Sequence, residues 1–150
     1  MKKIILATFA FTFFSVLNAG NVSACSCIFL PETKSIDSIV KKAYKNSSAV
    51  FVGEVVDIVQ KPDVFFVEVK FVVEQKWNDG IKKTVTITTG KGGGDCGYPF
   101  EIGKKYLVYA SNSKNTLQTN ICTKTALAEN NKDIAVLNKI KKRKIKSFPK

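Results

Sequence analysis

The sequence predicts a mainly β domain: a five-stranded OB-fold-like closed β-barrel with one helix ahead of the strands and another after them. Three observations carry this prediction. Residues 64–76 alternate apolar and polar with period two, four further β-branched or aromatic runs are separated by turn residues, and helical spacing occurs at the two ends of the strand region. A closed sheet also leaves no exposed strand edges in a chain of this length. The 150 residues are 45% hydrophobic and 11% aromatic, which supplies one core and excludes a disordered chain or a fibre.

The elements follow in chain order. Ser35 or Asp37 can cap a helix on which Ile36, Ile39, Val40, Ala43 and Tyr44 form one stripe, with Lys41, Lys42 and Lys45 outside it. Residues 49–59 form the first strand, and Gly53 interrupts its alternation as a bulge or bend does. In the second strand, residues 64–76, Phe65, Val67, Val69, Phe71 and Val73 share a face opposite Glu68, Lys70, Glu74 and Lys76. Residues 77–80 turn the chain, and Thr84 to Thr88 is the third strand. Gly90 to Gly97 reads as a flexible loop tied down by one cysteine. Tyr106 to Ala110 and Asn115 to Ile121 are strands four and five, joined by a Ser/Asn turn and ending at Cys122. Ile134, Leu137 and Ile140 mark the closing helix. Trp77, Tyr106 and Tyr109 are expected in the core rather than as base-stacking platforms.

Residues 1–24 read as a secretory leader, and residues 25–150 as the folded domain. Lys2 and Lys3 precede an apolar run of 14 residues, Ile4 to Leu17, and Val22-Ser23-Ala24 is a leader-peptidase pattern. That run is shorter than the ~20 residues needed to span a bilayer. Cleavage after Ala24 makes Cys25 the first residue and leaves a net charge of +10 on 126 residues. A cut after Ala19 would leave five residues ahead of it. Val22-Ser23-Ala24-Cys25 also fits the bacterial lipoprotein pattern, in which the cysteine receives lipid. The expected location is therefore secreted or in the cell envelope, with a lipid anchor at Cys25 in the last case.

Composition narrows the chemistry. The chain has no histidine, which removes Ser-His-Asp and Cys-His nucleophiles and imidazole proton shuttles. The Gly-rich loop is followed by neither a GKS/GKT sequence nor a helix, as a phosphate cradle would be. Glu54, Glu68, Glu74 and Asp95 form no recognisable carboxylate pair for glycosidase chemistry. No active site, cofactor or metal of its own is expected, so the chain reads as a binding protein rather than an enzyme. Its formal charge of +12 favours acidic partners. Seven of the last twelve residues are basic, and Lys139, Lys141, Lys142, Arg143, Lys144 and Lys146 would face acidic glycans or an anionic membrane surface. No specific nucleic acid is expected. Asn46-Ser47-Ser48 is a glycosylation sequon that matters only in a eukaryotic source.

The cysteines are Cys25, Cys27, Cys96 and Cys122, an even number that suggests two disulfides in an exported chain. A Cys25–Cys27 bridge would close a strained three-residue ring, so each reaches a distant partner and two pairings stay open. Either pairing closes loops of about 70 and 95 residues, each worth about 4 kcal/mol in the chain-entropy view. A four-cysteine zinc site fits poorly, because the spacing lacks paired CxxC knuckles.

Taken together, Cys25-Ser26-Cys27, the early helix, Ala49-Val50-Phe51-Val52-Gly53, Trp77 before a turn, Cys96-Gly97-Tyr98, Phe100 with Gly103, Tyr106-Leu107-Val108-Tyr109 and Cys122 resemble the amino-terminal, netrin-like domain of tissue inhibitors of metalloproteinases. The resemblance spans nearly all of residues 25–150. It implies an OB-type barrel with bridges Cys25 to Cys96 and Cys27 to Cys122; the family's third bridge has no cysteines here. It further implies that the partner is a zinc metalloprotease. The α-amine and carbonyl of residue one, Cys25, would chelate the protease zinc at its open position. Ser26 would enter the specificity pocket, Cys27, Ile28, Phe29 and Leu30 would lie along the cleft, and Gly94 and Asp95 would flank that ridge. The amine ligates only when neutral, and its reference pKa is about 7.7 to 8.0, so binding is expected to weaken on acidification. The alternative is a non-inhibitory netrin-like binding or envelope lipoprotein, lipidated at Cys25, whose basic tail meets polyanions.

Overall fold

A computed structural model describes residues 25–27, 35–60, 62, 64–92, 94–113 and 115–147, with side chains described as far as residue 144. The leader, Ile28, Phe29 and Leu30 lie outside the described residues.

The first helix, α1, is Ile36–Asn46. Ser35 rather than Asp37 caps it: the Ser38 amide donates to the Ser35 hydroxyl, and Asp37 sits in the first turn, where the helix dipole favours a negative charge. Strand β1 (Ala49–Gln60) pairs antiparallel with β2 (Phe66–Lys76), and β2 pairs antiparallel with β3 (Thr84–Gly90). β4 (Lys105–Ser113) pairs antiparallel with β1 and with the short β5 (Thr116–Gln118). A parallel contact between Thr88 and Gln118 joins β3 to β5, so the pairings run in a ring of five strands. β6 (Ala126–Leu127) adds to β4, and α2 (Asp133–Ser147) follows it.

The ladder shifts register between Val52 and Gly53, where the sequence expects an irregularity, and again between Val55 and Asp57. A side chain at Gly53 would meet the Val72 carbonyl at 2.9 Å, so close strand approach explains the glycine. Three boundaries differ from expectation. β2 starts at Phe66, and Phe65 is 92% exposed instead of sharing the buried face, because Gly90 opposite Phe66 is the last β3 partner. Ser111 to Ser113 remain in β4, because β5 offers them partners, and the turn follows them, with Asn115 in the left-handed region (φ 64°). β5 stops at Gln118, since Thr119 turns its hydroxyl onto the Tyr109 carbonyl. β6 is an additional strand, whose two residues are too short to show a period in the sequence.

Alternation along the strands builds two cores. Phe51, Val55, Val69, Phe71, Ile87, Tyr106 and Val108 form one cluster shared by β1 to β4. Their neighbours Val50, Val52, Leu107 and Tyr109 point the other way, against Val40 and Tyr44 of α1 and Val136 and Leu137 of α2. Both helices thus cover the same face. Trp77, Tyr106 and Tyr109 are all buried and serve the core. No helix among the described residues is long and apolar enough to cross a membrane.

Candidate functional site: a cross-linked Cys-Ser-Cys segment

Cys25 is bridged to Cys96 and Cys27 to Cys122, with Cα separations of 5.2 Å in both pairs. Of the two pairings that spacing leaves open, this is the one the resemblance implies. Ser26 lies exposed between two half-buried cysteines. The bridges adjoin, with the Sγ atoms of Cys25 and Cys122 3.9 Å apart.

Each anchor point is itself held by contacts that reach the core. Before Cys96, the Asp95 carboxylate accepts from the amides of Lys91 (2.6 Å), Gly92 (2.8 Å) and Gly97 (2.9 Å). These bonds hold its pKa below the usual carboxylate value, the Gly97 amide contributing most and Lys91 next. Besides the cysteine, a charged side chain therefore ties down the described part of the Gly-rich loop by gathering the amides of Lys91, Gly92 and Gly97. Gly97 also has the Gly90 carbonyl and Gly92 amide where a Cβ would sit, so its packing excludes a side chain. Gly94, in the same loop, has φ 126° and is exposed.

After Cys96, aromatic rings fasten the chain to the core. Tyr98 and Phe100 have centroids 4.6 Å apart, and Phe100 meets Tyr106 and Phe71 edge-on at 4.9 and 5.3 Å. The Tyr98 amide also donates to the Thr89 hydroxyl (2.8 Å).

Around Cys122, three threonines do comparable work. Thr119 donates to the Tyr109 carbonyl (2.9 Å), Thr123 to the Asn120 carbonyl (2.9 Å), and the Tyr109 amide donates to the Thr125 hydroxyl (3.0 Å). The Thr119 and Thr125 hydroxyls lie 2.8 Å apart. The Cys122 amide donates to the Asn120 side chain (3.0 Å). Beneath them the buried Tyr109 hydroxyl donates to Asp133 (3.1 Å), which Lys124 pairs at 3.2 Å.

Cys25, Ser26, Cys27, Asp95, Cys96 and Cys122 thus meet at one place, with Gly94 beside them. Lys139, Lys141, Lys142, Arg143, Lys144 and Lys146 lie on α2. The sequence reading missed the role of Asp95 as organiser of its loop and missed the threonine cluster. An aspartate two residues ahead of a glycine is a readable signal for a side-chain-to-amide turn; the threonines carry none. Chemically, the arrangement presents a short, rigid, solvent-facing segment at low cost in binding entropy.

No family model matches the chain, and no curated protein matches it.

Proposed function

We propose that this chain is an exported inhibitor of a zinc metalloprotease, acting as the tissue inhibitors of metalloproteinases do and built on an OB-type, netrin-like barrel. The observation that carries the reading is the Cys25-Ser26-Cys27 segment, cross-linked on both sides of an exposed Ser26. After removal of residues 1–24, the Cys25 nitrogen is a free amine. With the adjacent carbonyl it forms a five-membered chelate that replaces the water on the partner's zinc, which three protein ligands leave accessible. Ser26 enters the specificity pocket, and Cys27, Ile28 and Phe29 follow along the cleft, with Gly94 and Asp95 at its edge. Cross-linking removes freedom that a loose terminus would lose on docking. Phe65, almost fully exposed at the β1–β2 tip, shares a depression with Asp95, Thr119 and Asn120 and extends this face.

The test uses the oxidised chain beginning at Cys25 against zinc endopeptidases with peptide substrates. One alanine added ahead of Cys25 abolishes inhibition while leaving the thermal melt unchanged. Retained potency in that variant would falsify the chelate.

The second reading, an envelope lipoprotein, rests on Val22-Ser23-Ala24-Cys25. Lipid attaches through the cysteine sulfur, and the Cys25–Cys96 bridge uses that same atom. The intact mass of the natural product separates the two: a free, bridged Cys25 supports the inhibitor, and an added diacylglyceryl mass supports the anchor.

A further inference from the structure

The solvent sides of α1 and α2 flank an open groove of about 610 Å³. Lys41 and Lys45 of α1 and Arg143 and Lys144 of α2 line it, and no carboxylate among the described residues does. The Lys144 ammonium donates to the Tyr44 hydroxyl (3.1 Å) and stands 5.0 Å over the Tyr44 ring, which fixes one cation in the wall. Lys41, Lys45 and Arg143 are exposed and enter no ion pair among the described residues. Lys41 and Lys45 are one helical turn apart, a like-charge spacing that costs helix stability. Cations gathered along one open groove also raise a positive potential there.

We infer that this groove binds a linear polyanion, a polymer carrying sulfate or phosphate groups. A strand lying between the helices can meet cations from both, Lys41 and Lys45 on one side and Arg143 and Lys144 on the other. The Tyr44 ring is buried beneath Lys144, so the described residues of the groove offer no exposed ring for stacking bases. The site also differs from the basic run that the sequence singles out. α1 contributes half of its cations, and Lys141 is turned aside onto the Lys76 carbonyl (3.0 Å). The flank of α1 facing Cys122 is a separate depression lined by Ile39, Lys42 and Ala43. The inference does not rest on the inhibitor reading.

The experiment measures fluorescence anisotropy of labelled heparin fragments and of labelled polyphosphate of matched charge, titrated with the oxidised chain at several salt concentrations. Lys45→Glu with Arg143→Glu reverses the groove; Lys82→Glu with Lys83→Glu makes the same charge change ahead of β3. The groove pair is expected to weaken binding at least about tenfold and to lower the salt slope by about one per cation removed. The control pair is expected to change affinity less than about threefold, by net charge alone. Lys41→Gln with Lys45→Gln, a milder pair, should fall between them, and melting curves verify folding of all three. Binding of heparin alone identifies sulfate and binding of polyphosphate alone identifies phosphate; either supports the groove. Equal losses in groove and control pairs, no binding of either polymer at about 0.1 M salt, or tighter binding to phosphatidylglycerol vesicles that ignores the groove substitutions overturns it.

Discussion

The Ile121 amide donates to the Cys96 carbonyl across 3.0 Å, joining the two segments on which both bridges from Cys25 and Cys27 end. The platform under the Cys-Ser-Cys segment is thus one unit rather than two independent loops. Its parts reach the core by different routes, through rings on the Cys96 side and through threonine hydroxyls and Tyr109 on the Cys122 side. The bridges span 71 and 95 residues, so each removes considerable freedom from the unfolded chain, about 4 kcal/mol in the chain-entropy view.

Asp95 is the charged element of that platform, and its titration reports on it. Three amides favour the carboxylate, so its folded pKa lies below the unfolded value. The stability it contributes is fully present above the ordinary carboxylate range and is lost as pH falls through the depressed folded value. In an amide-nitrogen NMR titration, the Gly97 signal should move with a midpoint below 3.8, the ordinary value for this side chain. Asp95→Asn keeps one oxygen for Gly92 and Gly97 but can set an NH₂ against the Lys91 amide, which bonds the other oxygen. The expected result is a large shift change at Lys91 and a small one at Gly97, with weaker inhibition. A Gly97 midpoint at or above the ordinary carboxylate value contradicts the ordered loop.

Gly97 and Gly80 separate two reasons for a glycine. Gly97 is needed for space, since a Cβ there collides with the backbone of Gly90 and Gly92. Gly80 is needed for conformation alone, with φ at 81° and nothing within 4 Å of a Cβ. Gly80→Ala should cost about 1 kcal/mol of left-handed strain. Gly97→Ala should cost more, about 1–3 kcal/mol of overpacking, and should slow closure of the Cys25–Cys96 bridge beside it. Urea unfolding ranks the pair and timed thiol trapping follows the bridge; a less stable Gly80→Ala variant would refute the packing argument.

What the sequence discloses and what it hides divide by range. The stripe of α1, the alternation of Val67, Val69 and Phe71 and the irregularity at Gly53 are local, and each is visible in a few consecutive residues. The end of β2 is not: Phe65 continues the apolar pattern, yet no partner strand reaches it. The Ser111 to Ser113 run reads as a turn because its partner β5 is too short to announce itself. At the candidate site, the CxC motif is conspicuous, but steric reasoning alone leaves two cysteine pairings. Long-range contacts such as Ile121 to Cys96 bring the anchor segments together, and such contacts leave no periodic trace. Groove-lining Lys41 and Lys45 look like an ordinary solvated helix face until α2 is placed beside them.

Beneath the Cys122 anchor, the Tyr109 hydroxyl gives an alkaline counterpart to Asp95. Burial first, then the Asp133 charge and the bond to it, raise this phenol far above its ordinary pKa of 10.0. In the unfolded chain it ionises near that ordinary value, so the unfolded state alone gains as pH climbs beyond it. Stability is unaffected by this group below about pH 10 and then falls by up to about 1.4 kcal/mol per pH unit. Tyr109→Phe removes the titration and the hydrogen bond together, while Asp133 keeps Lys124 as its partner. The variant should be about 1 kcal/mol less stable at pH 8. The two stability curves should then converge within about one pH unit above 10, because only the wild type carries the penalty. Urea unfolding of both proteins between those limits supplies the comparison. Curves that stay parallel throughout would mean that Tyr109 ionises as readily in the fold as out of it, and that the bond to Asp133 does not anchor this side of the platform.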